Sequence, residues 1–594
     1  MISTDIHPVL SIYRRMEQFI YLYVGFQNDT YIKISNDLMY IYTPCRIKIW
    51  EFCMRYGVAF DLGTSGYRAQ KIDLDTKEIR RTVMTLRNPI PGANVMDHMD
   101  FAIHYGQDLV HGLSISAVKN LLRALDIKNE ELKRISICGN PIQLSIFQGI
   151  SIEDLAYAGE RKKKKYNIQE QNRDARIVHS SEIPGLEEFN CEVVVPPSVR
   201  HEVGADALAL IVKSGMLEKD EISIATDYGT NAEMALKVKD VIYTGSAAAG
   251  PALEGQQIKH GSLASPYTIS DFEFEDGALR NYILNEEMEP SLGDLVDPAT
   301  GNVLKKGIIE ARAITGTGVI ALIEESIKNG IVVLPKIKTL DGHIHLQNRI
   351  EFSEKDLTEA GKAIGAIRAG HITLCAAAGI ELTDIDAAYM AGAAGTYMDA
   401  AKAQKIGLIP YSTGRICQLG NTSLALAREV LLSEERLWEL QDIANKIIGT
   451  HIMFATSPQF RDVYILELAY WEEGMPFKMF QKYLKKKGLP HIGEPIANPV
   501  VEKRVKKDIP ILGEEGLHIL ERVGTYMTMV VDCPECKKCL KVCPNEAISI
   551  DDEGRVMIST DLCEGVHCQK CARACPPDKF SWDNLEVFKP LQQE

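Results

Sequence analysis

A dense block of cysteines near the end of the chain constrains its fold more than any other feature. Eight of the 14 cysteines lie between residues 533 and 575, in two runs. The first run follows the spacing C-x2-C-x2-C-x3-C-P, which is typical of bacterial ferredoxins. The second run, CEGVHCQKCARACP, begins thirty residues later and is again closed by proline. The two runs together predict a domain that binds two 4Fe-4S clusters.

The ferredoxin pattern also predicts which cysteines bind each cluster. In the two-cluster fold, the first three cysteines of a run bind one cluster and the fourth binds the other. One predicted set is therefore Cys533, Cys536, Cys539 and Cys575. The other predicted set is Cys563, Cys568, Cys571 and Cys543. Zinc is a weaker alternative, because thiols packed this densely would exceed the four ligands that one tetrahedral zinc ion needs.

The second run departs from the standard pattern at one point. It has four residues, EGVH, between its first two cysteines, where the standard spacing has two. We expect the longer loop to keep the ligands but to change the exposure or hydrogen bonding of that cluster, and therefore its reduction potential. The segment between the runs, NEAISIDDEGRVMISTDLC, predicts a helical turn, a strand, a turn and a second strand, as the ferredoxin fold requires.

Two glycine turns earlier in the chain share one pattern. VAFDLGTSGYRA at 58–69 and SIATDYGTNAEMAL at 223–236 each have an apolar strand that ends in Asp, followed by Gly and Thr. Gly lets the backbone approach a phosphate closely, and Asp can organise a hydrated Mg²⁺ ion or orient an attacking water. One copy alone is weak evidence, because many turns contain Asp and Gly for geometry. The predicted site residues are Asp61, Gly63, Thr64, Asp227, Gly229 and Thr230, with the two aspartates as catalytic residues.

The paired turns resemble the two phosphate hairpins of the actin, hexokinase and sugar-kinase superfamily, which implies an ATP site between two lobes. YMAGAAGTYMD at 389–399 is similar to the superfamily's adenosine element, with Gly392 and Gly395 as contacts. A small-residue helix contact is the alternative explanation for that stretch. ITGTGVIAL at 314–322, with Gly316 and Gly318, and LGNTSLALA at 419–427 are further glycine-and-threonine turns that open helices. Both are candidate phosphate or ribose contacts, although tight packing would also explain them. We set NAD aside, because no βαβ unit with a following acidic ribose ligand stands out.

The chain divides into segments of different character. From residue 54 to about 500, strand-like segments alternate with helix-like ones, for example EISIATDYGT before NAEMALKV, which predicts a mixed α/β fold. We expect a two-lobed, actin/hexokinase-like (ribonuclease H-like) ATPase core followed by a small α+β ferredoxin domain. The predicted units are a first lobe at 54–220, a second lobe at 221–498, a connector with a short helix at 499–530, the ferredoxin domain at 531–582 and a tail at 583–594. Residues 1–53 have no clear period, and we expect an extension of doubtful order or a mis-assigned start.

Composition excludes several kinds of partner. The formal net charge of -15 argues against nucleic acid, because phosphate binding needs a concentrated positive face. No apolar run approaches the roughly 18 residues that a membrane span requires, so we expect no membrane partner. The six cysteines outside the block are scattered singly, which indicates reduced thiols and a cytoplasmic location.

From Met54 onward the chain resembles the reductive activases of corrinoid-dependent methylamine methyltransferases of methanogenic archaea. The resemblance is carried by the two hairpins, the twin ferredoxin runs and further stretches: NPIPGANVMDHMDFAI, CGNPIQLS, DLAYAGE, EVGADALAL, AAAGPALEGQ, ITGTGV, EAGKAIGAIRA and LGNTSLALARE. It implies ATP-dependent reduction of a corrinoid methyl-carrier protein from inactive cobalt(II) to cobalt(I), for methylamine methyl transfer in methanogenesis. The implied cofactors are ATP, Mg²⁺ and two 4Fe-4S clusters, and the electron donor is unknown.

Two other functions fit part of the pattern. A small-molecule kinase with an appended ferredoxin domain would share the hairpins, but its ATP turnover would depend on a sugar or an acid. A dehydratase-activator-type ATPase would also resemble the hairpins. Proteins of that type typically share one cluster between two subunits with few cysteines, so eight cysteines in one chain argue against it.

Overall fold

The computed structural model describes residues 10–12, 20–24, 31–35, 38–43, 46–51, 54–92, 94–157, 160–199, 203–255, 257–529, 536–576, 579–580 and 582–588. Five strands precede Met54 and pair with their sequence neighbours in one antiparallel sheet. They are β1 (Leu10–Ile12), β2 (Ile20–Val24), β3 (Tyr31–Ser35), β4 (Leu38–Thr43) and β5 (Arg46–Glu51). The prediction that residues 1–53 are an extension or follow a mis-assigned start stays a prediction.

The first lobe is a mixed sheet covered by helices. Its strands are β6 (Tyr56–Leu62), β7 (Tyr67–Asp73), β8 (Ile79–Thr85), β9 (Leu132–Gly139), β10 (Arg176–His179) and β11 (Glu192–Val195). Its helices are α1 (Val95–Tyr105), α2 (Gln107–Ala124), α3 (Pro141–Gln148), α4 (Glu153–Ala156), α5 (Glu160–Tyr166) and α6 (Ala205–Ser214). The central strand β6, YGVAFDL, is buried along its whole length, as expected for an apolar strand covered on both faces.

The second lobe contains a second mixed sheet and a smaller antiparallel sheet. Its strands are β12 (Ser223–Tyr228), β13 (Ala232–Val238), β14 (Val241–Ala247), β15 (Thr268–Glu275), β16 (Ala278–Leu284), β17 (Pro290–Val296), β18 (Val303–Lys305), β19 (Ala313–Ile314), β20 (Val332–Val333), β21 (Lys336–Ile337), β22 (His343–His345), β23 (Glu351–Ser353), β24 (Ala387–Ala391), β25 (Arg415–Gln418) and β26 (Val500–Lys503). Its helices are α7 (Gly316–Lys328), α8 (Glu354–Ala378), α9 (Gly392–Tyr397), α10 (Ala400–Lys405), α11 (Thr422–Leu432), α12 (Glu434–Ile447), α13 (Pro458–Glu473) and α14 (Phe477–Lys486). None of the helices in the described part of the chain combines the length and apolar character needed to cross a bilayer.

The two main sheets share one strand order. The first contains β8-β7-β6-β9-β11, and the second contains β14-β13-β12-β24-β25. In each, three consecutive strands pair antiparallel, and the first of them also pairs parallel with a later strand. The strands that lead into the two glycine turns, β6 and β12, therefore occupy equivalent central positions. This arrangement confirms the predicted two-lobed α/β core.

One segment predicted as a helix is a strand. NAEMALKV contains good helix formers, but residues 232–238 form β13, which pairs along its length with both β12 and β14. Six of its seven residues are buried. Hydrogen bonding and burial in the middle of a sheet outweigh the modest helix preference of these residues.

The connector forms strands and joins both lobes. β26 extends the second-lobe sheet by pairing with β25, while β27 (Leu517–Leu520) extends the first-lobe sheet by pairing with β8. The prediction of a short helix before the cysteines is wrong for the described residues of 499–529. Segments of this connector instead form strands that hydrogen-bond to sheet edges. The last of these strands is β28 (Tyr526–Met529).

The ferredoxin unit packs directly on the first lobe. Besides β28, its elements are α15 (Lys538–Val542), β29 (Ile548–Ile550), β30 (Val556–Ser559), α16 (Lys570–Ala574) and β31 (Leu585–Val587). Its sheet order is β29-β30-β28-β31, and the predicted strand, turn and strand between the cysteine runs are confirmed. Met527 and Trp582 belong to the same buried apolar cluster as Phe101 of α1 and Leu113 of α2. Because this core is shared, the ferredoxin unit has a fixed place on the lobe.

A buried ion pair joins two long helices of the second lobe. Arg368 on α8 donates from Nε to Oε1 of Glu467 on α13 at 2.7 Å, and both side chains are almost fully buried. Gly361 and Gly365 let the helices approach, since a Cβ at either position would lie within 3.0 Å of α13 side-chain atoms. Tyr411 accepts another hydrogen bond from the guanidinium at 2.8 Å.

We expect Glu467→Ala to lower the free energy of unfolding of the second lobe by about 3–5 kcal/mol, because it leaves a buried, unpaired guanidinium. Urea denaturation followed by tryptophan fluorescence measures the change, since Trp471 lies one turn further along α13. Glu359→Ala is the matched control: this glutamate forms a partly exposed pair with Lys362 and should cost about 0.5 kcal/mol or less. Equal effects of the two substitutions would contradict the assignment.

Candidate functional site

The first glycine turn ends β6 at the mouth of the cleft between the lobes. Asp61 Oδ2 accepts a hydrogen bond from Arg68 Nη1 at 3.2 Å and another from Asn421 Nδ2 at 2.8 Å. A Cβ at Gly63 would lie 2.8 Å from the carbonyl oxygen of Gly66, so the turn is too tight for a larger residue. The carboxylate of Asp61 is therefore fixed at the mouth of the cleft by Arg68 and Asn421.

The second turn ends β12 in the equivalent place. Asp227 is the fifth residue of β12 and faces the glycine that opens α9. Gly392 has φ of +81°, and a Cβ there would lie 2.3 Å from Asp227 Oδ1. Only glycine satisfies both the left-handed backbone and this close approach. The position of the Asp227 carboxylate therefore requires a glycine at residue 392 in the predicted adenosine element.

The two turns meet across the cleft. Ser65 Oγ in the first and Thr230 Oγ1 in the second lie 3.0 Å apart and are buried. The cleft has an empty volume of about 580 Å³. Seven of the ten predicted nucleotide-site residues line it: Asp61, Gly63, Thr64, Asp227, Gly229, Thr230 and Gly392.

The other three predicted glycines lie elsewhere. Gly316 and Gly318 are buried at the start of α7, where a Cβ on Gly318 would lie 2.5 Å from the carbonyl oxygen of Ile269 in β15. Gly395 is buried in α9, and its carbonyl accepts a hydrogen bond from Gln418 at 2.7 Å. None of the three lines the cleft, and close packing accounts for Gly318. A nucleotide contact for these glycines stays a prediction.

Several polar residues of the cleft were missed by the sequence analysis. They are Arg68, Asn140, Asp206 and Glu233. Asn421 and Ser423 also line the cleft, and they belong to the LGNTSLALA turn that was predicted as a phosphate or ribose contact. Asn140 and Asn421 each cap a helix that follows a strand, accepting from backbone N–H groups of α3 and α11. Each also donates a hydrogen bond to a predicted site residue: Asn140 Nδ2 to Thr64 Oγ1 at 3.0 Å, and Asn421 Nδ2 to Asp61 Oδ2 at 2.8 Å. The Gly-Asn dipeptide before PIQLS was a usable signal for Asn140, because Asn is a favoured helix cap.

The cleft holds more negative than positive charge. Asp61, Asp206, Asp227 and Glu233 line it, with Arg68 as the cation among its lining residues. Burial, with the nearby charge of Asp61, raises the pKa of Asp206 to about 7. Burial, together with Asp206 and Asp227, raises the pKa of Glu233 well above its usual range. A bare triphosphate would be repelled here, so the cleft suits a nucleotide together with a divalent cation.

Four cysteines converge in the ferredoxin unit. Cys543, Cys563, Cys568 and Cys571 line one pocket of about 370 Å³, whose walls include Ile548, Ile558 and Trp582. This is the set predicted for one cluster. Burial is the main cause that raises the pKa of Cys563 to about 12 and that of Cys571 to about 11. Four thiols in an apolar pocket fit an iron–sulfur cluster, because bound metal stabilises the thiolate form that burial alone disfavours.

The second predicted set is described in part. Cys533 lies outside the described residues. Cys536 is exposed, and Cys539 and Cys575 are half-buried at α15 and the end of α16. The two helices pack against each other, which brings the two cysteine runs into contact. The exposed Cys536 puts this set closer to solvent than the set in the pocket.

Comparison with known families and proteins agrees with this architecture. A family model described as the RACo middle region matches residues 56–219, and one described as the C-terminal domain of RACo, the ASKHA domain, matches 221–481. A 4Fe-4S dicluster domain matches residues 532–579. A solved structure titled "Reductive activator for corrinoid,iron-sulfur protein" covers 74% of this chain and 70% of its own with a TM-score of 0.57, and at 21% identity supports the fold alone.

Two curated relatives have explicit names. The corrinoid activation enzyme RamQ of Eubacterium limosum is 26% identical over 439 residues, 71% of each chain. The Co(II) methylated amine-specific corrinoid protein reductase of Methanosarcina barkeri is 48% identical over 498 residues, 83% of this chain and 92% of the relative. At that identity and coverage, this chain belongs to the family of corrinoid-protein reductive activases.

Proposed function

We propose that this chain reactivates a corrinoid protein by ATP-dependent one-electron reduction of its cobalt(II) to cobalt(I). One observation carries the proposal: a cleft suited to Mg-ATP and a pocket suited to an iron–sulfur cluster both adjoin the first lobe. The names of the relatives support this function. The substrate is therefore the cobalt of another protein.

The cleft residues divide the work on the nucleotide. The backbone N–H groups of the two turns and the hydroxyls of Thr64 and Thr230 bind phosphate oxygens. Asp61 and Asp227 would hold Mg²⁺ through its water shell, where the ion would offset phosphate charge, and they would orient the water whose attack on the terminal phosphorus releases ADP and phosphate. Arg68 offsets part of the negative charge beside Asp61. Binding of the ligand between the turns favours the closed arrangement of the lobes.

The cysteine residues provide the site for electron transfer. When bound, the two 4Fe-4S clusters supply one-electron transfer at low potential. The pocket around Cys563 and Cys571 excludes water, and backbone N–H groups of Gly565 and Ala547 donate to Cys563 Sγ and Cys543 Sγ at 3.4 and 3.2 Å. Such N–H···S hydrogen bonds tune the reduction potential. Each electron delivered to cobalt comes from an external one-electron donor, so no electron originates from ATP.

The physiological setting follows from the Methanosarcina relative. We assign the partner as a corrinoid methyl carrier for methylated amines in methanogenesis, because that relative's name specifies such a protein. The free, buried thiols of Cys138, Cys191 and Cys375 support a reducing, cytoplasmic environment. We also retain the predicted lobes at 54–220 and 221–498 as the working domains of the ATPase.

Mixing the anaerobic protein, a reductant and a cobalt(II) corrinoid protein should give cobalt(I) with Mg-ATP and little without it, measured by the corrinoid absorbance. Asp227→Asn should slow this reduction about 100-fold, since it removes a charge that acts on the phosphate and Mg²⁺. Asp240→Asn, at an exposed turn between β13 and β14, is the matched control and should not change the rate. Reduction at full rate without nucleotide would refute the proposal.

Cys543→Ser should lower iron from about eight to about four atoms per chain, because one of two clusters loses a ligand. Iron analysis and the EPR spectrum of the reduced protein measure this loss. Cys375→Ser, at a buried position in the last turn of α8, tests whether any cysteine change has the same effect and should leave the iron content unaltered. Zinc in place of iron in freshly isolated protein would contradict the cluster assignment.

A further inference from the structure

We infer that residues 88–92, named here the coupling segment, transmit the nucleotide state of the cleft to the cluster bound by Cys543, Cys563, Cys568 and Cys571. Asn88 is the positioning residue at one end, and the EGVH loop at 564–567 is the receiving element at the other. The inference rests on the proposed function, and it assigns to this segment the link between the two halves of the reaction.

Asn88 ties the coupling segment to the first phosphate turn. Its buried side chain donates from Nδ2 to the carbonyl oxygen of Gly63 at 2.9 Å. Its Oδ1 accepts from the backbone N–H of Ile90 at 2.8 Å. The same amide therefore contacts the turn that faces the phosphates and fixes the start of the coupling segment. A shift of Gly63 on nucleotide binding must move Asn88 or break a buried hydrogen bond.

A second buried route runs from the same turn to helix α1. Tyr67 Oη donates to Oε1 of Gln143 at 3.1 Å, and Nε2 of Gln143 contacts Nδ1 of His98 at 2.9 Å. All three side chains are fully buried. Burial lowers the pKa of His98 to about 4, so its ring is neutral at physiological pH and the route consists of neutral hydrogen bonds. A buried hydrogen-bond network thus connects helix α1 to the first glycine turn and restricts movement of the helix relative to that turn.

The other end of the coupling segment contacts a predicted cluster ligand. The backbone N–H of Gly92 donates to the carbonyl oxygen of Cys563 at 3.3 Å. Gly565, with φ of +65°, packs so closely that a Cβ would lie 3.3 Å from Pro91 O and from Phe101 Cδ2. The segment that begins at the nucleotide turn therefore ends on the loop that holds Cys563.

The residues that lengthen the second cysteine run make these contacts. His567 Nε2 lies 2.9 Å from Asp97 Oδ1 of α1, and Gly565 fills the space beside Pro91. Next in the chain, Gln569 Nε2 donates to Tyr105 Oη at the far end of α1 at 3.1 Å. A two-residue gap would lack this protruding turn. The departure from the ferredoxin spacing thus adds hydrogen-bonded contacts between the cluster domain and the ATPase lobe to those of the shared apolar core.

These contacts give nucleotide binding a way to alter the cluster. The N–H of Gly565 donates to Cys563 Sγ at 3.4 Å, so a displacement of the EGVH loop changes a hydrogen bond to a ligand sulfur. Hydrogen bonds to ligand sulfurs and solvent access set the potential of a cluster. Well-packed interiors transmit such shifts because they do not compress.

The experiment compares wild-type protein with Asn88→Asp, which keeps the acceptor for Ile90 but cannot donate to Gly63. The EPR spectrum and midpoint potential of the reduced holoprotein are recorded without nucleotide and with saturating Mg²⁺ and a non-hydrolysable ATP analogue. We expect the analogue to shift the EPR spectrum and the midpoint potential of the wild-type protein. Asn88→Asp should lose most of this shift while it retains both clusters. His567→Ala, at a largely exposed side chain, should weaken the shift without a folding defect.

His104→Ala is the matched control, because this exposed histidine of α1 contacts only its own helix and the neighbouring Tyr105 ring among the described residues. It should retain the full shift. A full shift in both Asn88→Asp and His567→Ala would overturn the inference. So would a wild-type cluster whose spectrum ignores the nucleotide while corrinoid reduction remains ATP-dependent, a result that leaves the proposed function intact. Corrinoid reduction that needs no nucleotide would instead refute the proposed function.

Discussion

The repulsion among the four carboxylates at the lobe interface is the constraint on which the rest of the structure depends. Asp61, Asp206, Asp227 and Glu233 come from both lobes and share one cleft, with Arg68 as the cation among the lining residues. Burial and the charges of neighbouring carboxylates raise the pKa values of Asp206 and Glu233, so the cleft disfavours ionisation of all four groups at once. In the proposed function, a divalent cation with its phosphates would relieve this repulsion, so ligand binding would supply free energy at the point where the lobes meet. An enzyme that must drive an uphill electron transfer needs such a source.

The connector mechanically links the two lobes to the ferredoxin unit. It places β26 in one main sheet and β27 in the other, and between them Asp508 contacts two residues that line the cleft, Arg68 and Asn421. The carbonyl of Asp508 accepts from the N–H of Asn421 at 3.0 Å, and its carboxylate lies 4.0 Å from Nε of Arg68. Burial raises the pKa of Asp508 to about 6 even beside this cation. A chain held at both sheets and beside the nucleotide site cannot act as a loose linker.

Local patterns in the sequence predicted the parts of the site that depend on spacing along the chain. The cysteine runs and the two Asp-x-Gly-Thr turns are of this kind, because each run and each turn is a single short segment of the chain. Asn421 could not be paired with Asp61 in this way, since 360 residues separate them and only the packing of α11 on β6 joins them. The connector strands likewise depend on distant sheet edges. The helix predicted at NAEMALKV failed for a different reason: local propensity favoured a helix, while pairing with the adjacent strands β12 and β14 and burial in the sheet determined the outcome.

The longer gap in the second cysteine run shows how one insertion can serve two demands. A free ferredoxin needs a short loop to enclose its cluster, whereas a ferredoxin unit on an ATPase must also contact the lobe that supplies energy. The apolar core around Phe101 and Trp582 provides attachment, but such a core is insensitive to direction. The hydrogen bonds of Cys563 and His567 to residues around α1 are directional, so they respond to the relative orientation of the two parts as well as to their separation. Attachment and communication are therefore carried by different interactions of the same interface.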